Sequence, residues 1–161
     1  MLVTINTDAS FSNASKHGSY AFYIKSSLFC YKKANVLKEK CRDPTDAENK
    51  AIYNAIYFLL KMHGKSVKSI IVNTDSLNSI HLFSGDKVAI KKYGLRKHQS
   101  ILHKLQSLLN KPEFRNISIQ FRHVKAHNGA PDARSWVNDW CDEQAEFQLG
   151  LYLTKNNLWN S

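Results

Sequence analysis

Leu2-Val3-Thr4-Ile5-Asn6-Thr7-Asp8-Ala9-Ser10 and Ser69-Ile70-Ile71-Val72-Asn73-Thr74-Asp75-Ser76 carry one pattern twice. Each opens on a short apolar, largely β-branched run and closes in Asn-Thr-Asp followed by polar turn residues. Each is therefore expected to be a buried strand. Side chains alternate across a strand, so Asn6 and Asp8 share one face, as do Asn73 and Asp75. If the two strands are neighbours in a sheet, Asp8 and Asp75 become a pair of carboxylates at adjacent strand ends.

Outward from these stretches, Tyr20-Ala21-Phe22-Tyr23-Ile24 and Leu28-Phe29-Cys30-Tyr31 read as the two arms of a hairpin, and 34–42 as a further strand or a loop. Asp43-Pro44-Thr45-Asp46 then opens a helix with Thr45 or Asp46 as its cap and Gly64 beyond its end. Ala51, Ile52, Ala55, Ile56, Leu59 and Leu60 recur at helical spacing. Glu48 lies on the same stripe as Ile52, Ala55 and Leu59, so a carboxylate in the first turn faces the core and needs a partner or a cation there. A short helix is expected over 76–83, a basic stretch over 87–98, a helix over 99–109 and a strand over 117–121. A last helix is expected over 132–149, with Asn138, Asp142, Ala145 and Leu149 on one face. The result is one mixed α/β domain, residues 1–149, with elements in the order βββαβα(α)βα, and a tail, 150–161, whose conformation the pattern does not fix.

The chain has 161 residues, 43% of them hydrophobic, and 23 Lys and Arg against 13 Asp and Glu, a net charge of +10. Such an excess favours a polyanionic partner, because neutralising phosphates releases counterions. No apolar run approaches the roughly 18–20 residues that span a bilayer, and the first residues lack the features of a signal peptide. Cys30, Cys41 and Cys141 are odd in number and widely spaced, which supports neither a disulfide framework nor a zinc site. His123 and His127 stand in a strand and a loop, not on the one helix face a zinc pair needs. A monomer in a reducing cytoplasmic compartment, free of membrane and of any obligatory protein partner, is expected. Asp43, Asp46 and Asp132 read as helix-start acids, Asp139 as an exposed one, Trp136 and Trp140 as core packing, and Cys141 as a small buried hydrophobe.

Asp8 and Asp75 at strand ends, with Glu48 and Asp142 on flanking helices, make an oxygen-only set suited to Mg²⁺ or Mn²⁺ and not to zinc. Two divalent ions would offset the four charges and clamp the attacking and leaving oxygens of a phosphodiester.

Thr7-Asp8-Ala9-Ser10, Ala47-Glu48, Asn73-Thr74-Asp75-Ser76, Val124-Lys125-Ala126-His127-Asn128-Gly129 and Asn138-Asp139-Trp140-Cys141-Asp142-Glu143-Gln144-Ala145 together resemble type 1 ribonuclease H in order and spacing, from about residue 2 to residue 148. The resemblance implies the ribonuclease H-like fold, a mixed five-stranded sheet flanked by helices. It implies that Asp8, Glu48, Asp75 and Asp142 hold two Mg²⁺ ions, with Mn²⁺ able to substitute. It further implies that water cleaves the RNA strand of an RNA–DNA hybrid, leaving 5′-phosphate and 3′-hydroxyl ends. His127 matches the family's loop histidine, which assists proton transfer or product release. Three departures stand out. Ala9 replaces the usual Gly of Asp-Gly-Ser. Pro44 and Thr45 occupy the places of an Asn pair that reads RNA 2′-hydroxyls. The basic stretch, with Lys87, Lys91, Lys92, Arg96 and Lys97, is shorter than the family's basic protrusion. Those cations, together with Asn13 and Thr45, are the candidate nucleic-acid contacts. Two other readings remain at this point: a nuclease of the same fold acting on DNA or structured nucleic acid, and a nucleic-acid-binding domain without catalysis.

Overall fold

In the computed structural model, which describes residues 1–125 and 133–159, the two Asn-Thr-Asp stretches are neighbouring parallel strands. β1 (Leu2–Phe11) pairs antiparallel with β2 (Gly18–Lys25), which pairs antiparallel with β3 (Cys30–Val36). On its other side β1 runs parallel to β4 (Ser69–Thr74), with Asn6 opposite Asn73, and β4 runs parallel to β5 (Ser118–His123). The order is β3-β2-β1-β4-β5. Short turns can only return a strand antiparallel, whereas the helical connections ahead of β4 and β5 carry the chain back to a parallel start.

The hairpin differs from expectation in where its second arm begins. The Ser26 hydroxyl accepts the N–H groups of Leu28 and Phe29, each at 3.1 Å, so residues 26–29 are held as a turn. β3 therefore starts at Cys30 and runs on to Val36, taking in the first part of the undecided segment.

α1 (Pro44–His63) is the main support of the sheet. Its cap is Asp43, not Thr45 or Asp46: Pro44 occupies the first helical position, where its missing N–H costs nothing, and the Asp43 carboxylate accepts the Asp46 N–H at 2.8 Å. Ile52, Ala55, Ile56 and Leu59 are fully buried under it. Burial opposes ionisation of Asp43, but the Asp46 N–H, Lys97 and His98 outweigh it and hold the carboxyl below its usual range. Asp43→Ala should therefore cost about 1–2 kcal/mol in urea unfolding at pH 7, mostly as a lost cap. The lowered pKa means that this contribution is present above about pH 4 and fades as the pH falls through the folded-state value, so wild type and variant converge in acid.

α2 (Leu77–Phe83), α3 (Lys87–Lys92) and α4 (Gln99–Leu109) follow β4, and α4 buries Leu102, Leu105 and Leu108 against the α1 layer. α5 (Ala133–Lys155) covers the other face. The alternation in β2 shows this directly: Tyr20, Phe22 and Ile24 join the core with α1, while Ala21 and Tyr23 pack with Cys141, Ala145 and Trp140 of α5. α5 outruns its expected end at Leu149 because its buried stripe continues through Leu153, so 150–155 are helical. Trp136 is not core: it is 55% exposed, and Tyr23 meets it edge-on.

Candidate active site

β4 leaves the sheet after Thr74, whereas β1 continues to Phe11, and their pairing ends at Asn6 and Asn73. From Thr7 onward β1 thus has no neighbour on that side, and a notch opens beside Asp8. Below it, the Asn73 side-chain amide donates to Asn6 Oδ1 at 3.2 Å, a buried tie between the strands. Asp8 stays in register with Ala21 of β2, is only 4% exposed, and accepts the Ala9 N–H at 2.9 Å. Asp75 follows β4 directly. Ser76 then caps α2 by accepting the Ser79 N–H at 3.2 Å, which turns the chain away from the notch.

Glu48 reaches the notch from the first turn of α1. Carboxylate oxygens of Asp8, Glu48 and Asp75 all lie within 4.8 Å of one another. Glu48 hydrogen-bonds Asp8, and its Oε2 is buried without a hydrogen-bond partner among the described residues. Its helix is locked to the Asp75 turn by a buried chain: Ser79 Oγ donates to Asn49 Oδ1 at 2.7 Å and meets Ser76 Oγ at 2.8 Å. Asn49 and Ser79 have no exposed surface, so their bond sits wholly inside the fold, while the Ser76 end of the tie is part-buried.

Three carboxyls this close cannot all ionise without counter-ions. Burial first, then the charge of Asp75, pushes Asp8 up to about 8, against smaller opposing contributions from the Glu48 hydrogen bond and the Ala9 N–H. Burial, then Asp8 and Asp75, drives Glu48 well above the usual carboxylate range. Hard oxygen donors crowded around a buried carboxylate oxygen with no hydrogen bond fit a divalent cation such as Mg²⁺ or Mn²⁺.

Asp142 lies half-buried on α5, outside the three-carboxylate group, but close enough that its charge adds to the rise at Asp8. Asn138, one turn earlier, is buried, and Cys141 beside Asp142 is buried with its Sγ 3.6 Å from the Asn6 carbonyl. Burial pushes the Cys141 thiol far up, so it is no nucleophile. His127 lies outside the described residues. Asn13 sits in the turn after β1, its Oδ1 accepting from Lys16 at 2.8 Å. Thr45 Oγ1 accepts from the Asn78 amide at 3.3 Å. Lys87, Lys91, Lys92 and Arg96 gather with Val88 around one surface depression, whereas Lys97 Nζ lies 3.2 Å from Asp43 on the α1 cap. Sequence reasoning missed Asn49, Ser79 and Asn78; the one available signal was a polar residue next to Glu48 inside an apolar helical pattern.

A sequence profile of the RNase H family matches residues 2–149. The chain belongs to the RNase H family. Membership makes it a nuclease by family, a hydrolase of nucleic acids. A search of curated protein sequences finds no significant match. Among solved structures, the N-terminal RNase H domain of a Mycobacterium tuberculosis protein aligns with a TM-score of 0.68 at 15% identity, over 96% of this chain and 98% of that one. LC11-RNase H1, solved in complex with an RNA/DNA hybrid, aligns with a TM-score of 0.65 at 15% identity, over 91% and 99%. RNase H1 from the archaeon Halobacterium salinarum aligns with a TM-score of 0.63 at 12% identity, over 93% and 98%. At these identities the likeness shows the fold, and the five-stranded sheet order agrees with it. No helix among the described residues is long and apolar enough to cross a membrane.

Proposed function

We propose that this RNase H-family chain hydrolyses the RNA strand of RNA–DNA hybrids with two divalent cations, Mg²⁺ or Mn²⁺, leaving 5′-phosphate and 3′-hydroxyl ends. The observation that carries the reading is the notch where Asp8, Glu48 and Asp75 converge within 4.8 Å around a buried Glu48 oxygen that has no hydrogen bond. Asp8, Glu48 and Asp75 would hold the cations, with Asp142 completing the set from α5. When bound, the cations supply the charge that activates the attacking water and stabilises the leaving 3′-oxygen. The chain contributes placement: the Asn6–Asn73 bond fixes the strand register, and the Asn49–Ser79–Ser76 chain fixes Glu48 relative to Asp75. His127 would move a proton or aid product release. The basic patch of Lys87, Lys91, Lys92 and Arg96 would contact the hybrid's phosphates, with Asn13 and Thr45 nearer the cut. The free Cys30, Cys41 and Cys141 suit a reducing, cytoplasmic compartment, in which the chain would act as a monomer.

One observation favours a second reading, a nuclease with weaker RNA-over-DNA selection. Pro44 at the start of α1 offers no side-chain donor, which leaves the Thr45 hydroxyl, its oxygen accepting from the Asn78 amide, as the one polar side chain at the two positions of the Asn pair. Matched RNA–DNA, DNA–DNA and RNA–RNA duplexes, each with Mg²⁺, Mn²⁺ or EDTA, separate the two. Hybrid cutting lost in EDTA is the expected result. Equal cutting of the DNA duplex would replace the proposal with the second reading, and tight binding without any cutting would sink both.

A further inference from the structure

A second concave surface runs along the flank of α1, beside the β2–β3 edge of the sheet. It has a volume of about 1330 Å³ and is walled by β3, the 36–42 segment and α4. Eight Lys and Arg line it against two acids, Glu39 and Asp46, and none of Asp8, Glu48, Asp75 or Asp142 is part of it. This is where much of the net charge of +10 is concentrated. Lys50 and Lys97 are paired with Asp46 and Asp43, but Lys33, Lys61 and Lys104 are exposed and have no ion pair among the described residues. Like charges held together unpaired are unfavourable unless a polyanion neutralises them.

The aromatic lining selects the polyanion. Tyr53 and Tyr57 occupy successive turns of α1 with ring centroids 6.1 Å apart and planes 21° from parallel. Tyr57 is 45% exposed, and Lys104 Nζ stands 4.6 Å over the Tyr53 ring. The exposed Tyr57 ring among these cations lets a base stack while phosphates are neutralised, a combination that an acidic protein surface does not use. From Asp46 to Lys61 the groove follows α1 for about 22 Å. In a duplex the bases are already stacked on one another, so an exposed aromatic face that takes a base favours an unpaired strand.

We propose that this groove binds single-stranded nucleic acid, at a site separate from the catalytic notch and independent of hydrolysis. α1 would then serve both surfaces, its first turn presenting Glu48 to the notch and its flank guiding an unpaired strand.

The test is fluorescence anisotropy of fluorescein-labelled 12-nucleotide oligo(dT) and oligo(U) with the full chain in EDTA. In the Lys61→Glu/Lys104→Glu double variant the affinity should fall at least about tenfold at 50 mM KCl, and the slope of log K against log[KCl] should flatten by about 1.4. Tyr57→Ala should weaken binding about fivefold or more. Asp75→Asn should bind the oligonucleotides as wild type does, and hybrid cleavage at saturating substrate should be unchanged in the groove variants. Three results would overturn the proposal: wild-type affinity in both groove variants, displacement by unlabelled duplex as effective as by single strand, or equal competition by poly-glutamate.

Discussion

Asp75→Asn should abolish nearly all hydrolysis while making the metal-free protein more stable. Losing one of three clustered carboxylates weakens the charge complementarity on which the cations depend, and a fall in kcat on the order of 10³-fold, about 4 kcal/mol, is expected. In the absence of cations the same substitution removes the second-largest cause of the raised Asp8 pKa. Asp8 then titrates closer to its ordinary range, and the melting temperature at pH 8 in EDTA should rise, by about 2–4 °C for each kcal/mol relieved. Thermal melts with and without Mg²⁺ read both halves. Wild type should gain stability from Mg²⁺ and the variant should gain little. Lower stability in EDTA together with lost activity would mean that Asp75 is needed for folding, contradicting the arrangement described.

The second large effect is a reversal of pH dependence by cations. Asp8 has a folded-state pKa of about 8 against an ordinary 3.8, so the folded protein binds a proton there more tightly than the unfolded chain does. For a carboxyl raised in this way, the stabilising contribution is complete below the unfolded pKa and is lost as pH rises through the folded one. Glu48, raised by the same crowding, acts in the same direction. Metal-free protein should therefore lose stability from about pH 4 to pH 8, and saturating Mg²⁺ should restore it over that window. Each cation bound near pH 7 displaces protons, so its affinity should rise with pH and level off above about pH 8. Calorimetric titrations with Mg²⁺ in two buffers of different ionisation enthalpy count the protons released. A count of zero at pH 7 would show that the carboxyls are already ionised and the crowding argument is wrong.

The strand pair was legible because a buried strand leaves a plain mark, an apolar run ending in Asn-Thr-Asp, and it occurs twice. Glu48 was legible because helical spacing places it on the buried stripe with Ile52, Ala55 and Leu59, where a charge demands explanation. Other features depend on residues far apart in sequence. Asn49 bonds Ser79 thirty positions away, so nothing local distinguishes it from an ordinary helix-surface Asn. The cap of α1 was misplaced because Pro44 takes the first helical position and puts the cap two or three residues earlier, at Asp43, a matter of backbone geometry and not of composition. The basic run at 87–98 drew attention as a linear cluster, yet its Lys97 turns to the α1 cap. The stronger concentration of charge is drawn from β3, the 36–42 segment, α1 and α4, which only the tertiary fold gathers.

The buried Asn6–Asn73 bond joins residues 67 positions apart. Contacts of that separation close a long loop, and their entropic cost is met only when most of the surrounding sheet is in place. The notch is therefore a late product of folding. A chain emerging from the ribosome presents Asp8 and Glu48 well before Asp75, and Asp142 later still. Until β4 has docked beside β1, the nascent polypeptide is a basic segment in which Asp8, Glu48 and Asp75 have not yet converged.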